Sequence, residues 1–392
     1  MRVLMLSLHT SPLAQPGSGD AGGMNVYVRQ LAENLGRQGA QVRIISTGDQ
    51  GDLELAPGVL VQHLAVPAPR SKEALPQLLP ELIRRISDVG SGGAEILHSH
   101  YWISGMAGLE LARIWQLPLV HTMHTMAKVK DRHRTGGQLA EPSQRAAGED
   151  QIVAAADRLI ANTQAEAVEL NQLYGGCSDR ISVVPPGVDL EVFRAGPKLA
   201  AAGADQMLLV FAGRLQRLKG PHILLGALAQ LRDRRPELAV RLVVIGSRSG
   251  AQDYDLATLR RELGLEAEVD FLPPMPAAEL ASWFRSADAV AMPSSSESFG
   301  LVALEAQACG TPVLATRVGG LNQAVRDGVT GLLVDDLDES SWARAIEQLH
   351  DLGPAARARM GEAGIAHAAS HSWVQTARRT RAVYDAVLAA SR

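Results

Sequence analysis

The 392-residue sequence has only two cysteines, Cys177 and Cys309, and it has neither a strong charge excess nor a long apolar run. Two distant cysteines cannot build a disulfide framework in a chain of this size, which favours a reducing compartment. The net charge of -4 argues against a nucleic-acid binder, which would normally show a basic excess. No apolar stretch approaches the ~18 residues of a membrane span, and the short N-terminal apolar run does not fit a signal peptide. We therefore expect a cytoplasmic protein without a nucleic-acid or membrane partner.

Alternating strand and helix patterns predict two similar halves. The first half begins with a buried-strand pattern at residues 3–8, followed by a polar loop and by a helix with Met24, Val28 and Leu31 on one face. The alternation starts again at residues 207–212, after a stretch rich in alanine and glycine. Such alternation is typical of βαβ units and parallel sheets. Further strands are predicted at residues 41–46, 95–98, 117–121, 158–162, 240–245, 269–272 and 289–293.

These halves predict an α/β fold of two Rossmann-like, doubly wound domains that face a cleft. The first domain is expected to comprise residues 1–194 and the second residues 195–372, and residues 373–392 should form a helix that packs back on the first domain. In open α/β sheets, ligands bind beyond the carboxyl ends of the strands. The cleft is therefore the expected active site.

The segment 17–22 formally matches the glycine pattern G-x-G-x-x-G of dinucleotide-binding oxidoreductases. The polar stretch 9–16 separates it from the first strand, and Ser46-Thr47-Gly48 stands where an acidic residue would end the second strand. Both features argue against an oxidoreductase. Gly22 and Gly23 nevertheless precede a helix, so free backbone N–H groups there suit a phosphate, although a plain flexible turn would have the same sequence.

Two carboxylates and two cations follow strands of the second half. Glu297 lies in the loop after the strand at 289–293, and Glu305 lies in the next helix. Alone they would more often be solvated glutamates. Arg214 and Lys219 follow the strand at 207–212, where two cations can hold a diphosphate and neutralise its growing charge. The combination predicts a nucleotide-sugar site.

These motifs resemble the retaining glycosyltransferases of the GT-B fold. The resemblance rests on Gly213-Arg214 with Lys219-Gly220, on Glu297 with Glu305, and on the segments 310–313 and 319–321. It implies that the basic pair binds the donor diphosphate, that the first glutamate contacts the sugar and the second the ribose, and that configuration is retained by a front-face route. The residues expected in the chemistry are His124, Arg214, Lys219 and Glu297. The expected donor-binding residues are His9, Gly23, Arg214, Lys219, Met275, Glu297, Ser298, Phe299, Gly300, Leu301 and Glu305.

The first half narrows the resemblance to one branch of that family. The segments 9–12, 19–20, 22–27, 97–102 and 121–125 are similar to the branch that, in the mycothiol pathway, joins N-acetylglucosamine from UDP-GlcNAc to 1D-myo-inositol 3-phosphate. The resemblance implies an acceptor-phosphate pocket of two cations and two hydroxyls, and it implies a homodimer. The expected acceptor-binding residues are Asp20, Met24, Asn25, Lys72, Tyr101, Thr125 and Arg145.

Four histidines, His98, His100, His121 and His124, invite a metal-site interpretation. No cysteine or carboxylate neighbour completes a tetrahedral ligand set, so no metal is expected in the chemistry. The resemblance allows a non-catalytic Mg²⁺ near residues Phe284, Arg285, Ala287 and Thr311.

Alternatives remain open at the substrate level. Met275 stands where a longer basic residue is expected beside the nucleobase, and 247–250 is less glycine-rich than the pattern. A related secondary-metabolite glycosyltransferase using another sugar, including a GDP-sugar, and another anionic or polyhydroxylated acceptor is the main rival. Sucrose-phosphate-type synthesis is a weaker one. A non-catalytic nucleotide-sugar sensor would not need the acceptor pocket.

Overall fold

The computed structural model describes residues 1–65, 72–134, 140–199, 206–248 and 254–391, with only the backbone described at 72–74. The chain forms two compact units. The first unit comprises Met1–Ala14, Gly23–Pro185 and Trp373–Arg392, and the second comprises Gln15–Gly22 and Pro186–Ser372.

The first unit is built on one sheet. Its strands are β1 (Arg2–Ser7), β2 (Gln41–Thr47), β3 (Leu53–Ala56), β4 (Val59–Leu64), β5 (Ile96–His100), β6 (Leu119–Thr122), β7 (Arg158–Ala161) and β8 (Ile181–Val183). Within the described part of the chain, the sheet order is β3-β4-β2-β1-β5-β6-β7-β8. All neighbouring strands pair in parallel except β3 and β4, which form an antiparallel hairpin.

Helices cover both faces of this sheet, as expected for strands that read as continuous apolar runs. They are α1 (Gly23–Arg37), α2 (Leu79–Val89), α3 (Trp102–Trp115), α4 (Ala127–Arg132), α5 (Ser143–Ala155), α6 (Gln164–Tyr174) and, from the end of the chain, α14 (Trp373–Ala390). Helix α14 packs on α1, where Trp373 meets the Tyr27 ring edge-on at 5.5 Å between centroids. The buried Tyr384 hydroxyl bonds His98 Nδ1 of β5 at 2.6 Å. The last helix therefore belongs to the first unit.

The second unit is built on a sheet whose strands are all parallel. Its strands are β9 (Met207–Ala212), β10 (Val240–Ile245), β11 (Val269–Leu272), β12 (Ala289–Met292), β13 (Val313–Thr316) and β14 (Gly331–Val334). The strand order in the described residues is β11-β10-β9-β12-β13-β14. The helices are α7 (Pro221–Arg234), α8 (Leu256–Glu262), α9 (Ala277–Ser286), α10 (Leu301–Ala308), α11 (Leu321–Ala324), α12 (Glu339–Asp351) and α13 (Gly353–Ala369).

The predicted α/β fold with two parallel sheets is confirmed. Two segments lie differently from the expected division into residues 1–194 and 195–372, since Gln15–Gly22 and residues 186–194 cluster with the second unit. Hydrogen bonds explain the placement of Gln15–Gly22. The Gln15 side-chain amide donates to the Met275 carbonyl at 2.8 Å, and the Ser247 hydroxyl donates to the Gly17 carbonyl at 2.7 Å.

The described helices include none whose length and apolar character would let it cross a membrane.

Candidate active site

In the second unit, two cations follow the carboxyl end of β9. Lys219 closes a 3-10 turn at Arg217–Lys219, and its Nζ donates to Glu297 Oε2 at 2.6 Å. Arg214 Nη1 lies 3.9 Å from Asp20 Oδ1. These four side chains keep between 16% and 30% of their surface exposed, so the ion pairs lie at the rim of the unit and not in its core. Lys219 and the first glutamate are therefore neighbours, and Arg214 pairs with Asp20.

Glycines position the two ends of this ion pair. Gly220 begins α7 with φ at 71°, and a Cβ there would lie 2.1 Å from the Pro293 carbonyl oxygen. The turn carrying Lys219 therefore approaches the end of β12 as closely as backbone allows. On the other side, a Cβ on Gly319 would lie 2.2 Å from the Glu297 carbonyl oxygen. Substituting either glycine would force the backbone next to one of the two charged residues to shift.

The segment from Glu297 to Leu301 forms the entrance to helix α10. Gly300 has a left-handed φ of 95° directly before the first helical residue, and Phe299 is buried beneath it. Ser298 and Leu301 are half-buried. The helix therefore begins beside Glu297, and its first N–H groups form the positive end of the helix dipole.

Glu305 lies within α10. Burial, and secondarily the charge of Asp189, raises the pKa of Glu305 to about 7. Its carboxyl group is therefore partly protonated near neutral pH and can both donate and accept hydrogen bonds. Such a group suits the hydroxyls of a ribose.

Asp20 and Met275 are the remaining predicted site residues of the second unit. Asp20 was predicted from the sequence to bind the acceptor, and the structure places it beside the donor cation Arg214. Met275 is half-buried, and its carbonyl holds the Gln15 side chain. The hydrogen bond from Gln15 joins the segment Gln15–Gly22, which contains Asp20, to the loop that carries Met275.

In the first unit, Arg145 is the centre of a buried network. Its guanidinium donates from Nε to Glu149 at 2.7 Å, from Nη1 to Glu141 at 2.7 Å, and from Nη2 to the Thr125 carbonyl and hydroxyl oxygens at 3.0 Å each. The Tyr101 ring faces its Cζ at 5.0 Å. Burial alone would lower the pKa of Arg145, but Tyr101, Glu149 and Glu141 more than offset it. The guanidinium is therefore a fixed positive charge.

Close helix packing brings Arg145 to Tyr101. Arg145 lies in the first turn of α5, and Tyr101 immediately precedes α3. A Cβ on Gly148 would lie 3.2 Å from the Trp102 ring, and one on Gly105 would lie 2.5 Å from Ile152. These two glycines let α3 and α5 approach each other. Three of the predicted acceptor-phosphate residues, Tyr101, Thr125 and Arg145, therefore come together.

Two residues of this site have unusual backbone conformations. Tyr101 has φ at 70° and ψ at 155°, and His124 has φ at 61°. They follow β5 and β6, which are neighbours in the sheet. For residues with a Cβ such conformations are strained, and strain of this kind clusters at functional sites. The His9 ring lies against the Tyr101 ring with centroids 4.7 Å apart.

The histidines at the ends of β5 and β6 form a buried, hydrogen-bonded array. His98 bonds Tyr384 and Thr122, His121 bonds Ser99 at 2.7 Å, and His100 Nδ1 bonds His124 Nε2 at 3.0 Å. Burial lowers the pKa of His124 to about 3 and holds the others low as well, so the rings are neutral. Across the described residues, no group of three His, Cys, Asp or Glu could hold a metal.

The remaining predicted residues of the first unit are one donor residue, Gly23, and three acceptor residues, Met24, Asn25 and Lys72. Gly23 and Met24 begin helix α1, with Gly23 exposed. The Asn25 amide is buried and donates to the Thr10 hydroxyl at 2.9 Å and to the Ser11 carbonyl at 2.6 Å, so it holds the loop after β1. Lys72 begins a 3-10 helix at Lys72–Leu78, and its side chain lies outside the described part of the structure.

The non-catalytic Mg²⁺ expected near Phe284, Arg285, Ala287 and Thr311 stays a prediction. In the structure the buried Thr311 hydroxyl donates to the Phe284 carbonyl, and the same carbonyl accepts from the Ala287 N–H at 3.1 Å. The expectation that no metal takes part in the chemistry stays a prediction.

Glu141 and Glu149 are the site residues that the sequence reasoning missed. Both flank Arg145 at a spacing of four residues: Glu149 meets it within α5, as oppositely charged side chains do at this helix spacing, and Glu141 meets it from the segment just before that helix. That spacing could have identified them. Charged residues in such a pattern are normally solvated, and nothing in the sequence marked this helix face as buried.

Two parallel α/β units, one with Arg214 and Lys219 after β9 and the other with Arg145 buried beside the residues that follow β5 and β6, fit a glycosyltransferase of the GT-B fold. Residues 199–367 match the family model described as glycosyl transferases group 1, and residues 21–192 match glycosyltransferase family 4. The chain belongs to the glycosyltransferase family that contains the D-inositol 3-phosphate glycosyltransferases, as its relatives demonstrate.

The relatives match along nearly the whole chain. The D-inositol 3-phosphate glycosyltransferase of Arthrobacter sp. (strain FB24) is 51% identical over 402 residues, covering 99% of this chain and 95% of the relative. That of Streptomyces coelicolor is 47% identical, covering 99% and 92%. Among solved structures, sucrose-phosphate synthase from Thermosynechococcus elongatus superposes with a TM-score of 0.90 at 28% identity, covering 100% of both chains.

Proposed function

We propose that the protein transfers N-acetylglucosamine from UDP-GlcNAc to 1D-myo-inositol 3-phosphate with retention of configuration. The proposed acceptor rests on one observation, which is that Arg145, Thr125 and Tyr101 come together in the first unit. Relatives that are 46–51% identical are D-inositol 3-phosphate glycosyltransferases, which supports the same acceptor here.

In this proposal the acceptor phosphate binds where the Arg145 guanidinium meets two hydroxyls. A planar guanidinium presents paired N–H groups that match phosphate oxygens. Burial raises the pKa of Tyr101, so its hydroxyl stays neutral and can donate to an anion. Lys72 supplies the second cation. Asn25, Met24 and Asp20 contact the inositol ring.

The donor diphosphate binds to the second unit through Arg214 and Lys219. Binding replaces two internal ion pairs, from Lys219 to Glu297 and from Arg214 to Asp20, by charge-assisted bonds to phosphate oxygens. Glu297, once released, accepts hydrogen bonds from sugar hydroxyls, and Glu305 binds the ribose. The uracil lies against Met275, and Ser298, Phe299, Gly300 and Leu301 line the donor through the start of α10. His9 and the Gly23 amide complete the donor contacts.

The chemistry is a front-face displacement. The bond from the anomeric carbon to the diphosphate breaks first, which leaves an oxocarbenium-like centre and a UDP anion. The acceptor hydroxyl attacks from the same face and gives its proton to the leaving diphosphate. Arg214 and Lys219 stabilise the growing negative charge, and neutral His124 lies close to the reacting carbon.

A second candidate acceptor is a sugar phosphate of the kind used in sucrose-phosphate synthesis. The full-length superposition on sucrose-phosphate synthase at 28% identity favours it as an alternative. The Arg145 site would bind its phosphate in the same way, and the sugar ring would take the place of inositol.

Titration calorimetry with UDP, GDP, UDP-GlcNAc, 1D-myo-inositol 3-phosphate and fructose 6-phosphate separates these proposals. We expect binding of UDP and UDP-GlcNAc, with inositol phosphate bound more tightly than fructose phosphate in the presence of UDP. Binding of GDP but not UDP, with no heat from inositol phosphate, would rule out this donor and acceptor and leave the family assignment intact.

A further inference from the structure

One carboxylate of the first unit bridges two cations. Glu141 Oε1 accepts from Lys130 Nζ at 3.0 Å, and its Oε2 accepts from Arg145 Nη1 at 2.7 Å. Burial would raise the pKa of Glu141, but the charges of Arg145 and Lys130 more than offset this and lower it. The bridge is therefore a fully ionised carboxylate held between two positive groups.

The second carboxylate on Arg145 has a different role. Glu149 is fully buried, and it accepts from Arg145 Nε, from the Ala127 N–H at 2.8 Å and from the Tyr174 hydroxyl at 2.5 Å. Losing these bonds would leave a buried charge without compensation, so Glu149 is a fixed support. Glu141 keeps 23% of its side chain exposed and can leave for solvent at much lower cost.

The hydrogen-bond partners of the Arg145 N–H groups indicate the edge of the guanidinium at which an anion can bind. Nε is used by Glu149, and Nη2 donates to both oxygens of Thr125. Glu141 occupies Nη1, so a phosphate that binds the guanidinium at this edge competes with the Glu141 carboxylate. A phosphate monoester also has several oxygens on one centre, which is the geometry needed to bridge Nη1 and the Lys130 ammonium.

We propose that Lys130 is a further ligand of the acceptor's phosphate and that Glu141 occupies the place of two phosphate oxygens until the acceptor displaces it. This inference rests on the acceptor site of the proposed function. Its consequence is that the site favours acceptors that carry a phosphate over acceptors that carry a carboxylate. A phosphate dianion outcompetes the internal carboxylate, whereas an acceptor carrying a carboxylate exchanges one carboxylate for another and gains little.

Inorganic phosphate is the probe that tests this site without any turnover. Calorimetric titration should show Glu141→Gln binding phosphate about tenfold more tightly than the wild type, since the internal competitor loses its charge, and Lys130→Met binding it about tenfold more weakly. Glu110→Gln is the matched control, because Glu110 forms an exposed ion pair with Arg113 on α3 and the change in net charge is the same. It should bind phosphate like the wild type.

Acceptor kinetics give the second readout. Glu141→Gln should lower the KM for inositol phosphate, and Lys130→Met should raise it. If Glu141→Gln binds phosphate no better than Glu110→Gln, or if Lys130→Met binds it as well as the wild type, the inference is wrong. If phosphate binding responds as expected but inositol phosphate is neither bound nor used, the anion site stands and the proposed acceptor fails.

Discussion

The two candidate half-sites hold their cations in opposite ways. In the first unit, Arg145 is 3% exposed and bonded to a carboxylate with no exposed surface, so its guanidinium cannot turn. In the second unit, Lys219 and Arg214 are 21% and 26% exposed and each has one carboxylate partner at the rim. We infer that the first site is preorganised for a small rigid anion, whereas the second uses long side chains that reorient onto a diphosphate.

The two half-sites also differ in which residues adopt left-handed backbone conformations. Left-handed conformations around the donor residues fall on glycines, with φ at 71° for Gly220, 95° for Gly300 and 47° for Gly319. Around the acceptor residues they fall on Tyr101 and His124, which carry side chains. We infer that the second unit uses glycine so that backbone can closely approach a bound ligand, and that the first accepts strain at two residues with side chains.

The largest expected effect is on stability in the first unit. Arg145→Met leaves Glu149 buried without its cation, which should cost about 3–5 kcal/mol. The matched change Lys219→Met removes one partner of a partly exposed pair at the rim of the unit and should cost less than about 1 kcal/mol. Hydrogen exchange resolves the two units separately. We expect peptides from β5–β7 to lose protection in Arg145→Met only, and equal losses in the two variants would contradict the comparison.

The next effect is on turnover through the second unit. Lys219→Ala should lower kcat by roughly 10²-fold or more, because it removes a donor that stabilises charge developing in the transition state. Lys198→Ala, at an exposed position of the same unit, is the control and should leave kcat unchanged. The measurement is UDP release with UDP-GlcNAc and inositol phosphate. Near-normal turnover by Lys219→Ala would refute the role assigned to this residue.

A smaller effect concerns the pH dependence of stability. The pKa of Glu305 is raised from 4.5 to about 7 in the folded protein, so its contribution to stability is fully present below pH 4.5 and is lost as the pH rises through 7. Glu305→Gln cannot ionise, and its stability relative to the wild type should therefore rise between pH 5 and pH 8, by about 1–2 kcal/mol. Denaturation at both pH values tests this, with Glu266→Gln as the exposed control. If the difference in stability between Glu305→Gln and the wild type stays constant from pH 5 to pH 8, Glu305 does not titrate in this range.

The smallest expected effect isolates backbone strain. His124→Ala and His124→Gly both remove the imidazole, but only alanine keeps a Cβ at φ 61°. The glycine variant should be more stable than the alanine variant by about 1 kcal/mol, since a left-handed residue with a Cβ costs about that much. Chemical denaturation compares the two. If alanine proves equally stable, the left-handed conformation stores no strain.

Sequence reasoning recovered the buried strands well because they are continuous apolar runs. Residues 207–212, 240–245 and 269–272 were predicted with the bounds of β9, β10 and β11. The β3–β4 hairpin was missed because β3 has only four residues and none of them is buried. Strands β13 and β14 were missed because their four-residue runs lie among helix-forming segments.

The site was predicted less completely than the fold. Motif resemblance indicated Arg145, Tyr101 and Thr125, and the structure brings them together. It did not indicate that Glu149 and Glu141 would hold the guanidinium, because burial of a helix face is a tertiary property. The position of Asp20 beside Arg214 was equally out of reach, since it depends on hydrogen bonds from Gln15 and Ser247 that join segments far apart in the chain.

The most direct test of the account is the anomeric configuration of the product. The protein is incubated with UDP-GlcNAc, in which the sugar is α-linked, and 1D-myo-inositol 3-phosphate, and the product is examined by proton NMR. We predict one equivalent of UDP and an N-acetylglucosaminyl inositol phosphate whose anomeric proton shows the small coupling of an α linkage. A β-linked product, or UDP release with free N-acetylglucosamine and no inositol adduct, would contradict it.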